Sequence, residues 1–447
     1  MFKFIRSLIG GKPPVSINAD PFGRDTAAPE PLPRTAGIAA RTTPAVVIQR
    51  DEIIDARTRI AGYQLSARSS DPGQQLYSRA TLEVLRESNV ASMAERRVVL
   101  IPVSSDQWLS FDYRTLIGDR TVFLLELPTG PEQIERWSES AKSIRISGAR
   151  VAIRGNEIEQ NRNLIGEYAD LVLNDFAASP LPLLEETIKR VKRDQPQLLV
   201  MIDNVSTWSQ FRYCCAHNTD YCMGPFTISA DDEVEVTEIG TSRLVLIEML
   251  NLLRGDADLS DIAKVAKRDP GVAVKLVTMA NSPLLGISKE ITSIDQAIVM
   301  LGRDQLYRWL SMAMFRAGTG SPRDDVLLEL ALARGRFLEL ISQGRHSKAE
   351  CDELFLVGLL SLLDSLLGVP MDELVAQLNL SETLNAVLLR SEGPFGRYLL
   401  LVMAVEKANA KIVALLSQQM AIPQADIEQA TTASLLWAEE AAQMGRR

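Results

Sequence analysis

The chain has 447 residues, of which 46% are hydrophobic and 23% charged, and these proportions are ordinary for globular domains. Its 48 Lys and Arg against 57 Asp and Glu give a formal net charge of −9, which argues against a dedicated nucleic-acid-binding protein. Its 4 cysteines exclude a disulfide-built scaffold. We expect a cytoplasmic protein of two or three domains, with no integral membrane segment and no secretion signal.

The first 44 residues contain no predicted domain. Residues 1–10 place Phe2, Ile5 and Ile9 on one helical face, which is compatible with a helix that touches a membrane or a partner. A frayed tail is favoured, because ten residues make a marginal helix in water. Residues 11–44 hold 7 of the 21 prolines, which predicts a disordered, Pro-rich linker.

Short β-branched runs alternate with helical stretches over residues 45–229. This alternation predicts βα units, a mostly parallel sheet and an α/β barrel. The predicted strands are Val46–Ile54, Gly62–Ala67, Val98–Val103, Thr121–Leu127, Arg150–Ile153, Leu171–Leu173 and Leu198–Ile202. The predicted helices are Leu76–Ser88, Glu132–Ser147, Pro182–Asp194 and Ser206–Ala216.

The remaining chain is predicted to be a linker and an all-α domain. Residues 230–242 are acidic, and we expect an exposed joint there because several carboxylates in a short span cannot be buried unpaired. Limited proteolysis at this joint should release two folded fragments. Residues 243–447 are almost wholly helical and show no short tandem repeat, which indicates one bundle core.

Several stretches of the first domain resemble the EAL family, the bacterial cyclic di-GMP phosphodiesterase barrel. They are Arg50–Asp55, Gly62–Arg68, Leu124–Glu126, Gly148–Ala152, Ala169–Asp175 and Asp220–Gly224. The resemblance runs from about Val46 to Ile228 and implies a TIM-type barrel.

The second half resembles the HDOD family. The motif residues are Asp269, Pro270, Asn281, Ser282, Pro283, Gly302 and Trp309, with Lys275-Leu276, Ile291–Ile294 and Ala297-Ile298 between them. Most of these residues are explained by helix caps, a helix stop and a packing glycine. The stretch Val357–Asp364 also resembles bacterial EAL-plus-HDOD signalling proteins.

The EAL resemblance implies two divalent metals held by carboxylates at the C-terminal ends of the strands. The family's site positions correspond here to Gln64, Arg68, Pro102, Glu126, Arg154, Leu173, Asp175, Asp203, Ser206 and Met223. Only Arg68, which contacts substrate in the family, Glu126 and Asp175 are kept in kind, and Asp203 is a shortened substitute. An amide, a proline and an arginine cannot replace carboxylate ligands, so this degenerate site predicts no catalytic residue, no metal, no cofactor and no enzyme.

Two other metal sites are considered. The HD-domain phosphohydrolases related to HDOD need several histidines, and this chain has only His217 and His346. Cys214, Cys215, His217 and Cys222 could in principle bind zinc or form a Cys–His pair, but their spacing favours core packing.

The sequence therefore predicts a non-catalytic bacterial signalling adaptor that acts through contacts with protein partners of unknown identity. The alternatives are a receptor that binds cyclic di-GMP weakly without hydrolysis, with Arg68 on a phosphate, and a residual phosphodiesterase. An oligomer is compatible with either. We also expect Arg154 to replace the missing metals by pairing with Glu126 and Asp175, the alternative being that it points into water.

Overall fold

The computed structural model describes most of the chain after the Pro-rich stretch. The described residues are 46–69, 79–155, 167–178, 180–229, 231–232, 240–281, 291–317, 321–378 and 380–444. The predicted N-terminal segment 1–10, the linker 11–44 and most of the acidic residues of 230–242 lie outside them. Residues 45–447 form one compact unit.

The first domain is a closed barrel whose strands follow one another in chain order. Strand β1 is antiparallel to β2 and β8, and all other neighbouring pairs are parallel. The TIM-type prediction is confirmed. The strands are β1 Val46–Asp55, β2 Ile60–Ser69, β3 Val98–Val103, β4 Thr121–Leu125, β5 Arg150–Arg154, β6 Leu171–Asp175, β7 Leu199–Asp203 and β8 Tyr221–Met223.

Helices on the outside of the barrel follow β2, β3, β4, β6 and β7. Within the described part of this domain they are α1 Arg79–Glu87, α2 Val90–Arg96, α3 Ser105–Ser110, α4 Ile134–Ile146, α5 Leu181–Asp194 and α6 Trp208–Ala216. The sequence misses strand β8, because three residues are too few for an alternating pattern to be recognised.

Side chains alternate along each strand between the barrel interior and the helical layer. Leu100, Leu124 and Leu173 belong to the interior cluster, whereas Val99 and Phe123 belong to the layer between sheet and helices. The whole interior cluster fills the barrel, and we call it the apolar plug. Its buried members are Ile53, Val98, Leu100, Val122, Leu124, Ala152, Leu171, Leu173, Met201 and Met223. The next inward positions along β3 to β7 therefore lie at the open, C-terminal mouth.

The second domain is all-α, as predicted. Its described helices are α7 Thr241–Arg254, α8 Leu259–Ala266, α9 Pro270–Ala280, α10 Ile294–Arg316, α11 Pro322–Ser342, α12 Lys348–Leu360, α13 Leu363–Leu367, α14 Met371–Leu378, α15 Glu382–Arg390, α16 Gly396–Glu406, α17 Ala410–Met420 and α18 Gln424–Met444. No single helix in the described ranges is long and apolar enough to cross a bilayer, and the segments 348–367 and 371–378 pass that test only as a pair bent by 120°.

The HDOD-like motif residues hold this domain together. The Asp269 carboxylate caps α9 by accepting from the Val272 N–H at 3.0 Å, and its hydrogen bond from Ser242 lowers its pKa. Asn281 donates to the Ile291 carbonyl at 2.7 Å and accepts from the Ile291 N–H at 2.8 Å. These bonds tie the end of α9 to the segment before α10.

Other motif residues shape α10. Gly302 has a φ of 68° and divides the helix into two parts. A residue with a Cβ rarely adopts this positive φ, so the break favours glycine. Trp309 is 9% exposed and packs in the helical core. Ser282 and Pro283 lie outside the described residues.

Strand β1 docks the barrel onto the helical domain. The Arg50 guanidinium lies 2.7 Å from the Glu428 carboxylate of α18, with both side chains under 10% exposed. Arg97, just before β3, lies 2.7 Å from Glu329 of α11 and 3.1 Å from Glu439 of α18. Because these charges are buried, each depends on its partner in the other domain.

A second charge cluster, which is partly buried, lies beside β1. Arg334 donates to both Glu406 carboxylate oxygens at 2.8 and 2.7 Å. Burial raises the pKa of Glu52 to about 8, and the neighbouring Asp51 and Glu406 carboxylates add to the shift. Burial also raises the pKa of Asp364 to about 6, against the effect of Arg334.

Glu52 makes stability depend on pH in a defined direction. The group ionises near its usual pKa of 4.5 in the unfolded chain but holds its proton to about pH 8 in the folded one. The folded state therefore binds more protons between these values, so stability falls as pH rises through that window. We expect Glu52→Gln to raise the melting temperature by on the order of 2 °C near pH 9, and by much less near pH 5.

Thermal unfolding of both proteins across this pH range tests the expectation. The matched control is Glu87→Gln, which changes an exposed glutamate on α1 and should leave the pH profile unchanged. An equal gain at both pH values would show that ionisation of Glu52 is not the cause.

Candidate functional site

The structure gathers most of the predicted EAL positions at the barrel mouth. Leu173 and Met223 are the exceptions, since they are buried one layer lower in the apolar plug. Gln64 sits beside Asp51 of β1 at the edge of the plug, and its amide oxygen is buried without a hydrogen-bond partner among the described residues. The positions at or next to strand ends are Arg68, Pro102, Glu126, Arg154, Asp175 and Asp203.

One side of the mouth is organised by β1 and β2. The Gln49 amide donates to both Asp51 carboxylate oxygens, at 2.8 and 2.9 Å, and accepts from Arg68 at 2.7 Å. Burial raises the pKa of Asp51, while the Gln49 bond and the charge of Arg68 lower it. Arg68 is thus exposed but held in place by an amide at the start of the barrel.

The opposite side is organised by β6 and β7. Asp175 and Asp203 are direct partners in the sheet register. Asn204 follows β7 in the left-handed region, with a φ of 58°. Its side-chain amide donates to Asp175 at 2.8 Å, and its backbone N–H donates to Asp203 at 2.7 Å. Asn204 therefore fixes both carboxylates with one residue.

Arg154 does not form the ion pair that the sequence predicted. Its side chain is exposed, and within the described ranges no hydrogen bond or ion pair joins it to Glu126 or Asp175. The Asp175 oxygens already accept from the Ala177 N–H and the Asn204 amide. The prediction of a structural ion pair is wrong, because local donors satisfy Asp175 first.

The charge of Arg154 acts on Asp203 instead. Burial raises the pKa of Asp203, the Asn204 N–H and the charge of Arg154 lower it, and Asp51 and Asp175 raise it. The carboxylates from β1, β6 and β7 therefore lie near enough to one another at the mouth for their charges to interact. The arrangement combines carboxylate acceptors with two exposed guanidinium donors.

The residues of the mouth do not fit the two metal ions of the EAL family. Pro102 offers no side-chain ligand, and Leu173 is 1% exposed within the apolar plug. In the described part of the chain, no three Asp, Glu, His or Cys side chains are arranged to hold a metal ion. No chemical step at this mouth is therefore assigned to a metal.

The cysteine cluster is part of the barrel core. Cys214 and Cys222 are buried among apolar side chains, and all four cysteines of the chain are free. A side-chain hydrogen bond with Cys214, together with burial, raises the pKa of Cys222 well above its usual range. His217 directs Nδ1 to the Tyr213 carbonyl at 2.8 Å and places Nε2 3.4 Å from Glu185.

Similarity to known proteins identifies the helical domain. Residues 244–380 match the HDOD domain family. The chain contains an HDOD domain. It is also 22% identical over 404 residues to "Cyclic di-GMP phosphodiesterase CdgJ" of Vibrio cholerae, a match that covers 88% of this chain and 92% of CdgJ. The uncharacterized protein YuxH of Bacillus subtilis is 22% identical over 389 residues, covering 81% and 91%.

The FimX EAL domain of Xanthomonas citri, solved in complex with c-diGMP, is one of the similar structures. It is 12% identical, covers 40% of this chain and 85% of that chain, and has a TM-score of 0.32. The sequence prediction of an EAL-plus-HDOD protein, with an EAL-like barrel before the HDOD domain, is confirmed by the HDOD match and by the relatives that span both domains.

The same comparison corrects one prediction. The substituted ligand positions predict a protein that is not an enzyme. CdgJ, which matches this chain along most of its length, is named a phosphodiesterase, so that prediction is wrong. The prediction depended on individual residues of the barrel mouth, whereas the similarity to CdgJ extends through both the barrel and the HDOD domain.

Sequence reasoning missed three residues of the mouth. Asp51 and Gln49 lie on β1, which runs antiparallel to β2 and so returns its early residues to the mouth. Asn204 directly follows the strand-end Asp203. An asparagine in that position is a recognisable signal, because Asn tolerates the left-handed conformation and bonds nearby backbone and side chains.

Proposed function

We propose that this chain is a cyclic di-GMP signalling protein whose barrel mouth binds the dinucleotide and whose HDOD domain contacts protein partners. One observation carries the proposal: exposed Arg68 and Arg154 share the mouth with the carboxylates of Asp51, Asp175 and Asp203. The similarity to CdgJ supports the choice of nucleotide. We also propose a cytoplasmic location, where such a nucleotide would be met.

The chemistry of the mouth complements both parts of this ligand. Guanidinium groups form charge-assisted hydrogen bonds with phosphates, so Arg68 and Arg154 would bind the two phosphates of the ligand. The carboxylates accept from the N–H groups of a guanine edge, and arginine donates to the guanine O6 and N7 atoms. A mouth with both kinds of group suits a guanine dinucleotide better than a simple anion.

Strand β1 connects the mouth to the HDOD domain. Asp51 is turned to the mouth, whereas its neighbour Glu52 lies by Arg334 and Glu406 of the helical domain. Arg50, on the same side as Glu52, is bonded to α18. A ligand that displaces Asp51 would therefore act on contacts with the helical domain, which is how binding would reach a protein partner.

Hydrolysis of cyclic di-GMP is a second candidate function. The name of CdgJ favours it, and Glu126, Asp175 and Asp203 leave carboxylates at the mouth. Both functions need the nucleotide to bind, so binding is the first quantity to measure and product formation the second.

Calorimetric titration of the full chain with cyclic di-GMP tests the proposal. We expect saturable binding that Arg68→Ala and Arg154→Ala each weaken by at least about tenfold. Arg114→Ala is the matched control, since Arg114 is exposed on the barrel domain but away from the mouth. Chromatography of the same mixtures, with and without magnesium, detects any linear product.

The outcomes separate the candidates. Binding with no product supports signalling by binding, and a product that Asp203→Asn abolishes supports hydrolysis. Two results would refute the mouth as the cyclic di-GMP site. One is no heat of binding at nucleotide concentrations up to about 1 mM, and the other is an affinity in both arginine variants equal to that of the native protein.

A further inference from the structure

A second cavity lies at the end of the barrel opposite the mouth. It has a volume of about 970 Å³ and is lined by residues at the N-terminal ends of the parallel strands, among them Val98, Leu199 and Tyr221. Glu329 of α11 and Glu439 of α18 complete its wall. The cavity therefore lies between the barrel and the helical domain, and its volume is in the range of small-molecule sites.

The wall of the cavity is rich in positive charge. Four carboxylates also line the cavity. Most of the cations form an ion pair with one of them: Arg59 with Asp55, Lys192 with Asp220, and Arg97 with Glu329 and Glu439. The cationic residues that line it are Arg57, Arg59, Arg96, Arg97, Arg120 and Lys192.

Arg57 and Arg120 differ from the other cations. Both are exposed, and in the described ranges no carboxylate lies within ion-pair distance of either guanidinium. Arg57 belongs to the turn between β1 and β2, and Arg120 directly precedes β4. Two guanidiniums without acidic partners at the edge of one cavity are available for a doubly charged anion.

The floor of the cavity is apolar. Tyr221, Ala61 and Leu199 line the cavity and pack against the lower side of the barrel plug. Tyr221 is partly buried, and burial raises the pKa of its phenol. An aromatic ring beside aliphatic groups offers a stacking surface for a planar base.

We propose that this cavity is a second nucleotide site, which binds a nucleoside diphosphate with its base on the Tyr221 floor and its phosphates on Arg57 and Arg120. The site is distinct from the barrel mouth and goes beyond the proposed function. Because Glu329 and Glu439 form its wall and also hold Arg97, the ligand contacts both domains. Binding therefore stabilises the docking of the barrel on the helical domain.

Calorimetry with adenosine diphosphate and with inorganic pyrophosphate, both without magnesium, tests this site in the full chain. We expect Arg57→Ala/Arg120→Ala to weaken both probes by at least about tenfold, and added salt to weaken them further. Tyr221→Leu should weaken adenosine diphosphate but not pyrophosphate. Arg114→Ala, an exposed arginine outside the cavity, should change neither.

Three results would overturn the proposal. They are no saturable binding of adenosine diphosphate, an affinity for it in the double arginine variant equal to that of the native protein, and pyrophosphate binding as tight as that of the nucleotide. Competition separates this site from the mouth. Cyclic di-GMP should not displace adenosine diphosphate, and displacement would show that the two ligands share one site. Melting temperatures of the surface variants confirm that they remain folded.

Discussion

Replacing Arg97 by alanine should destabilise the protein by about 3–5 kcal/mol, because it leaves the buried Glu329 and Glu439 carboxylates without this cation. The side chains of all three residues are only 10 to 12% exposed, so most of the compensation of the two carboxylates comes from protein groups such as this guanidinium. Urea unfolding of the variant and the native protein measures the difference in free energy.

The neighbouring residue provides a matched control. Arg96 pairs with Glu440 at 2.7 Å, but both side chains are about half exposed. Arg96→Ala should therefore change stability little, since exposed ion pairs contribute little. Similar losses in the two variants would show that burial does not set the strength of the Arg97 contacts.

The barrel fragment 45–229 should not fold when it is made without the helical domain. It would expose the outer face of β1 and leave Arg50 and Arg97, which are buried in the native fold, without their acidic partners. The sequence alone predicts two folded fragments, but the structure changes this expectation. Circular dichroism and urea unfolding should show no cooperative transition for the fragment.

Residues 45–447 are the matched control, because they keep the interface and omit only the first 44 residues. This longer fragment should unfold cooperatively, like the full chain. A cooperative transition in fragment 45–229 would show that the barrel supplies its own stability and that the interface is a later contact. Proteolysis near residues 230–242 would then release two stable products, as the acidic composition indicates.

Much of the barrel mouth is predictable from the sequence because strand ends and alternation place it. Asp175 and Asp203 each end a buried strand, and parallel strands bring their C-terminal ends to one edge of the barrel. The sequence does not show which of several nearby donors each carboxylate will bind. Arg154 is near enough to influence Asp203, yet Asp175 is satisfied by Asn204 and by backbone N–H groups.

The lining of the second cavity shows the same limit. Arg57 lies in a turn and Arg120 precedes a strand, and neither position carries a recognisable motif. They line one cavity only because the barrel closes and the helical domain covers its lower end. Isolated arginines in a sequence are usually solvated, so their joint exposure beside an apolar floor is visible only in three dimensions.

The order of most strands and helices, the change to an all-α domain and the cap at Asp269 are all predictable from the amino-acid sequence, because these features depend on periodicity and on residues close in the chain. How the two domains meet depends instead on the folded chain as a whole. Arg50 and Glu428 are 378 residues apart, and no local pattern indicates that β1 faces α18. Partners of a buried charge are chosen by the packing of whole elements, and that packing also determines which carboxylates hold their protons and which cations remain available for a ligand.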